Sequence, residues 1–120
     1  MLVGPQLLEL RHLTVLNLAV KSFSGKIPDP FSNLKSLSFL DLHGNLLSGT
    51  IPGSMSELKE LLTLDLSLNQ LNGSIPRSVM DSMKNMQIIL NLSHNKLAGA
   101  IPQEIGGFVM VQEIDLSRPY

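Results

Sequence analysis

The stretch SFLDLHGNLLSGTIP, residues 38–52, decides the fold, because its pattern returns along the whole chain. Its closing block, Gly49-Thr50-Ile51-Pro52, recurs as Gly25-Lys26-Ile27-Pro28, Gly73-Ser74-Ile75-Pro76 and Gly99-Ala100-Ile101-Pro102, at spacings of 24, 24 and 26 residues. Ahead of each block stands a paired apolar column: Leu16/Leu18, Leu40/Leu42, Leu64/Leu66 and Leu90/Leu92, with Ile114/Leu116 as a last pair. Three positions beyond the pair, an asparagine recurs at Asn45, Asn69 and Asn95. Self-similarity at such a period marks a chain of stacked supersecondary units rather than a single globular core.

The columns carry physical meaning. Alternate residues of a strand point to opposite faces, so each Leu-x-Leu pair buries two side chains and presents the residue between them. The asparagine side chain then bonds backbone groups of the turn, which stacking removes from water. Phe23, Leu47, Leu71 and Leu97 return the chain to the core two residues later. The glycine tolerates a tight backbone, and proline ends the run where no amide donor is needed. Leu34/Leu37, Leu58/Leu61 and Met83/Met86 fit a helical or 3₁₀ turn that closes each coil. The expected fold is α/β, a right-handed leucine-rich solenoid with a parallel concave sheet of about five strands near 15–19, 39–43, 63–67, 89–93 and 113–117. The repeat domain spans 10–117, as coils 10–33, 34–57, 58–82, 83–107 and a partial 108–117. Residues 1–9 read as a partial leading coil or makeshift cap, and 118–120 as a tail.

Composition narrows the function. The 120 residues hold nine basic and ten acidic side chains, for a net charge of −1, so no cationic field favours nucleic acid or an anionic membrane. No cysteine is present, which excludes a disulfide framework, a thiolate metal site and a cysteine nucleophile. No apolar run reaches the ~18 residues of a spanning helix, and the opening residues lack the features of a signal peptide. As written, the chain is expected to be soluble and cytoplasmic.

The concave columns are the candidate partner-binding surface. Asn17, Asp41, Asp65, Asn91 and Asp115 stand between the paired leucines. Val15, Phe39, Thr63, Ile89 and Glu113 flank them on one side, and Ala19, His43, Ser67, Ser93 and Ser117 on the other. Together they form a mildly acidic strip with an apolar margin, suited to a basic or amphipathic polypeptide. The plainer reading of each Asp is a solvated repeat residue. Asp41 and Asp65 are expected to be neighbours on adjacent strands. On an open sheet their repetition argues for a structural origin over a carboxylate pair of the glycosidase kind. His43 and His94 show no second ligand at metal spacing, and the serines have no accompanying base, so neither metal, cofactor nor catalysis is expected. Asn72-Gly73-Ser74 and Asn91-Leu92-Ser93 match the glycosylation sequon. Coil ends bearing Leu10, Leu13, Leu16, Val111, Ile114 and Leu116 are expected to lack caps and to favour self-association.

These columns resemble the plant-specific class of leucine-rich repeats, Leu-x-x-Leu-x-x-Leu-x-Leu-x-x-Asn-x-Leu-x-Gly-x-Ile-Pro, over residues 10–117. The longer fourth repeat, Ser82-Met83-Lys84-Asn85-Met86-Gln87-Ile88-Ile89-Leu90-Asn91-Leu92-Ser93, together with Met110-Val111-Gln112-Glu113-Ile114-Asp115-Leu116-Ser117, is similar to the ectodomain of flagellin-sensing receptor kinases of grasses. The resemblance implies a plasma-membrane parent with an extracellular solenoid, a spanning helix and a Ser/Thr kinase. It also implies a flagellin peptide on the concave face and a leucine-rich-repeat co-receptor kinase as partner. The pattern departs at Lys21, which replaces an asparagine, and at Arg118-Pro119-Tyr120; the paired cysteines that flank such solenoids are lacking. No kinase signature is present, so the chain reads as about five noncatalytic coils of a longer receptor. A structural fragment with no ligand of its own is one alternative. Ice binding, for which plants reuse this repeat, is another; its column Lys26, Thr50, Ser74, Ala100 is irregular.

Overall fold

The computed structural model describes residues 12–29, 33–83 and 89–98. Within them the chain winds through repeating coils that share two parallel sheets. The first sheet contains β1 (Val15–Asn17), β3 (Phe39–Asp41), β5 (Thr63–Asp65) and β7 (Ile89–Asn91), in that order. The second contains β2 (Ser24–Lys26), β4 (Leu46–Thr50), β6 (Gln70–Gly73) and β8 (Lys96–Leu97). A 3₁₀ turn over Gly53–Glu57 and one helix, α1 (Arg77–Met83), close two of the coils on the side away from the first sheet.

The leucine columns form the core. Leu40, Leu42, Leu64, Leu66, Leu90 and Leu92 are all buried, joined by Leu34, Leu37, Leu58 and Leu61 from the closing turns and by Leu47, Leu71 and Leu97 from the second sheet. The spacing of three in the closing turns has the expected cause: the Leu37 N–H donates to the Leu34 carbonyl at 3.1 Å, and Leu61 to Leu58 at 3.3 Å. Met83 ends α1, and Met86 lies outside the described residues.

The structure departs from expectation in two ways. The strands of the first sheet are three residues long rather than five. Each bends after its central Asp or Asn because that side chain accepts the backbone N–H two residues on: Ala19 to Asn17, His43 to Asp41, Ser67 to Asp65 and Ser93 to Asn91, each at 3.0 Å. Coil-to-coil bonding nevertheless continues past the bend, with Leu42 N donating to Asp65 O at 2.9 Å and Gly44 N to Ser67 O at 3.0 Å. The second sheet was not expected. It arises because inward Leu47 and Leu71 alternate with outward side chains, so the return path is itself extended and pairs with its neighbour. The fifth strand near 113–117, the leading residues 1–9 and the coil-end residues Leu10, Val111, Ile114 and Leu116 lie outside the described residues.

The irregular spacing has a local solution. Val15, Phe39, Thr63 and Ile89 stay in register although the last interval is two residues longer. The closing segment absorbs the difference, since α1 has seven residues where the preceding 3₁₀ turn has five. Insertions therefore appear away from the first sheet and leave its columns aligned.

The glycines of the second and third blocks, Gly49 and Gly73, are confined by the preceding coil. Gly73 has φ +73°, and a Cβ there would meet Thr50 Cγ2 at 2.9 Å. Both the backbone region and the space exclude a larger side chain.

Asparagine joins coil to coil. The Asn69 Oδ1 accepts the Leu47 N–H at 3.0 Å, while its Nδ2 donates to the Leu42 carbonyl at 3.0 Å and to the Leu66 carbonyl at 3.2 Å. Asn45 and Asn95 repeat this bridging one coil before and one coil after. In an Asn69→Ala variant the buried Leu47 amide loses its partner, at about 1–3 kcal/mol for the group left unpaired, while the Leu42 and Leu66 carbonyls keep Asn45 Nδ2 and Asn95 Nδ2 as donors. Urea unfolding of the variant is expected to show a loss of about 1–3 kcal/mol, against less than ~0.5 kcal/mol for exposed Gln70→Ala.

Candidate functional site

The first sheet brings the sequence-defined columns together as an ordered surface. Parallel register aligns Asn17 with Asp41, Asp41 with Asp65 and Asp65 with Asn91. Val15, Phe39, Thr63 and Ile89 form the adjoining column, in which Val15 is exposed and Phe39 and Thr63 are half-buried. Glu113 and Asp115 lie outside the described residues. No lysine or arginine stands in the three columns among the described residues, so the carboxylates of Asp41 and Asp65 set the sign of the surface.

Each central polar residue has a local role. One oxygen, Oδ1, is committed to the bend described above. In the third coil the same Asp65 Oδ1 accepts the Ser67 hydroxyl at 2.6 Å, and in the fourth Asn91 Oδ1 accepts the Ser93 hydroxyl at 2.7 Å. Ser67 and Ser93, expected on the partner-facing columns, are only 5% and 6% exposed. Their hydroxyls fold back onto the chain because a short side chain two residues from Asp or Asn reaches the same oxygen as the backbone amide.

The second coil carries a histidine in that column. His43 Nδ1 lies 2.6 Å from Asp41 Oδ1 and 4.0 Å from Asp65 Oδ2. The hydrogen bond to Asp41, joined by the negative charges of Asp41 and Asp65 and opposed by partial burial, raises the His43 pKa above the ordinary imidazole value. Sequence spacing alone showed no second ligand for His43; the coil stack supplies one, and the ligand atoms of Asp41, His43 and Asp65 all fall within 4.8 Å of one another.

A further column escaped the sequence reading. Val20, Leu68 and His94 have φ of 54°, 58° and 57°, and Gly44 takes 70° at the same place in its coil. Gly44 was the available signal, since glycine is the residue at ease in this region. Val20 and Leu68 are also exposed there, putting apolar side chains on the lateral corner between the two sheets.

Profile comparison places the chain. The Leucine Rich Repeat family matches residues 12–34, 36–58, 60–81 and 88–108, and the protein belongs to that family. No curated protein sequence matches it significantly. Among solved structures it is similar to a plant ice-binding protein, at 37% identity and TM-score 0.85 over 96% of this chain and 37% of that one. It is also similar to the ectodomain of the plant membrane receptor kinase GASSHO1/SCHENGEN3 from Arabidopsis thaliana, in complex with CASPARIAN STRIP INTEGRITY FACTOR 2, at 28% identity and TM-score 0.79 over 98% and 17%. A third is the Arabidopsis receptor kinase HAESA with the peptide hormone IDA and the co-receptor SERK1, at 33% identity and TM-score 0.69 over 93% and 22%. The chain thus spans 17% to 37% of the length of these structures. Its fold is the leucine-rich-repeat solenoid that these structures share.

The raised His43 pKa has a readable consequence. The Asp41–His43 interaction adds stability that is fully present below the unfolded-state pKa, about 6.5, and is lost as pH rises through the higher folded-state value. An NMR titration is expected to place the His43 midpoint above about 6.5. Asp41→Asn is expected to lower that midpoint and flatten the accompanying fall in stability with pH.

Proposed function

We propose that the chain is a noncatalytic polypeptide-recognition segment of a plant immune receptor ectodomain, of the flagellin-sensing kind, binding a peptide ligand or a leucine-rich-repeat co-receptor through its concave face and lateral corner. The observation that carries this reading is the aligned concave surface, where Asp41 and Asp65 stand beside Phe39 with no lysine or arginine in the described columns. Such a strip matches a basic or amphipathic partner in charge and in apolar contact. Exposed Val20 and Leu68 extend the surface onto the corner. The irregular fourth repeat supports the flagellin-sensing assignment, and the receptor complexes with peptide and co-receptor support the kind of partner.

Size directs the choice between partners. The four described strands at ~4.8 Å spacing make a face about 15 Å long, which covers only four or five residues of an extended peptide at ~3.3 Å each. Co-receptor contact therefore suits these coils better than capture of a whole peptide. In this reading the parent is a plasma-membrane protein and the coils face the outside of the cell. Among the described residues no helix is long and apolar enough to cross a membrane. Asn72, exposed on β6, is the sequon asparagine open to glycosylation; Asn91, half-buried with its Oδ1 bonded to Ser93, is the poorer acceptor.

Adsorption to ice is a second reading, favoured by the similarity to the plant ice-binding protein and by the outward side of the second sheet. A flat array of equivalent small polar groups is needed there. Lys26, Ser48, Asn72 and Lys96, together with exposed Leu46, break that regularity. Thermal hysteresis of the purified chain is expected to match buffer; a faceted-crystal response would favour ice binding instead.

Calorimetric titration with a co-receptor ectodomain, with and without flagellin peptide, is expected to show saturable binding that weakens at least about fivefold in Asp41→Asn/Asp65→Asn, a loss of about 1 kcal/mol. A folded chain silent in both titrations would leave a structural solenoid segment with no ligand of its own.

A further inference from the structure

We propose that Asp41, His43 and Asp65 form a binding site for one divalent transition-metal ion of the zinc class, held at the junction of the second and third coils. The site is independent of the recognition reading. Its donors are one imidazole nitrogen and two carboxylates, all within 4.8 Å of one another.

Placement makes these donors a site. Asp41 and Asp65 are register partners on adjacent strands, and the strands rest on the fully buried leucines 40, 42, 64 and 66. Each carboxylate is already oriented through Oδ1, Asp41 by the His43 amide and Asp65 by the Ser67 amide and hydroxyl. Backbone and hydroxyl bonds of this sort act as an outer shell that fixes ligand direction. Asp65 Oδ2, turned toward His43, accepts no hydrogen bond among the described residues. The present Nδ1 separations, 2.6 Å to Asp41 Oδ1 and 4.0 Å to Asp65 Oδ2, bracket the roughly 3–3.5 Å between donors that each lie ~2.1 Å from a tetrahedral ion. A change of about 0.5–1 Å in each separation converts one arrangement into the other.

Donor chemistry selects the ion. An imidazole nitrogen suits zinc, copper or nickel, whereas calcium and magnesium prefer all-oxygen shells. Three protein ligands on an open sheet leave a coordination position facing solvent. The arrangement is also particular to one junction. The residue in the His43 column is Ala19 in the first coil, Ser67 in the third and Ser93 in the fourth, and none of these supplies a nitrogen. With no lysine or arginine in the described columns, no fixed cation competes for the two carboxylates.

The test is calorimetric titration of the tag-free full chain with zinc chloride in a non-chelating buffer, alongside His43→Gln, Asp65→Asn and the control His94→Gln. One zinc per chain is expected, weakened more than about tenfold in His43→Gln and Asp65→Asn and unchanged in His94→Gln. Circular dichroism confirms that each variant is folded, and zinc is expected to shift the His43 ring signals while leaving those of His94 in place. Absence of binding up to ~1 mM zinc in the folded chain would overturn the proposal. So would binding that persists in His43→Gln and Asp65→Asn, or that perturbs another histidine first.

Discussion

Asn69 is only 8% exposed, and its side-chain amide holds one coil to the coil before it, accepting from Leu47 and donating to Leu42 and Leu66. A repeating coil has an unavoidable polar problem. Each turn of chain at the edge of the leucine core strands backbone groups that no strand or helix partner reaches. An amide answers it because it offers an acceptor and two donors on one short, planar group. Asn45 and Asn95 do the same at their own levels, so the stack is joined by buried hydrogen bonds as well as by leucine packing. Both depend on neighbours, which is why such a chain gains stability by stacking rather than coil by coil.

Close stacking then determines what each column can contain. Gly73 is confined by Thr50 of the preceding coil, and Gly49 has its Cβ position 3.2 Å from Lys26 Cγ. Where the register is held this tightly, a two-residue insertion cannot enter the first sheet. It lengthens the closing segment into α1, and the concave columns remain aligned across the irregular repeat. Function follows from that alignment. A surface whose residues repeat in register can be varied one coil at a time without disturbing the core, as the change from Ser to His in a single column illustrates.

The concave polar residues serve two ends at once. Asp41 and Asp65 each use one oxygen to bend the chain and keep the other for the surface. The bend explains why these positions are Asp or Asn in four coils. It leaves open which partner the outer oxygens meet, and the choice between Asp and Asn sets the local charge. His43 in turn sits between two carboxylates from different coils, so its proton affinity belongs to the stack rather than to its own strand.

By itself the sequence determined the coil period, the leucine core, the asparagine positions and the pairing of Asp41 with Asp65, because each is a column visible at constant spacing. It also placed Phe39, Asp41 and His43 on one face through the strand period of two. The second sheet, the bends that shorten the first one, the burial of Ser67 and Ser93, and the left-handed column at Val20, Gly44, Leu68 and His94 were decided by tertiary structure. The reason is physical. Periodicity records which residues are equivalent from coil to coil, but a hydrogen bond folding back two residues, or a nitrogen approaching a carboxylate 22 residues away, depends on how closely the stacked coils approach. That approach is fixed only when leucine, asparagine and glycine from successive coils are packed together.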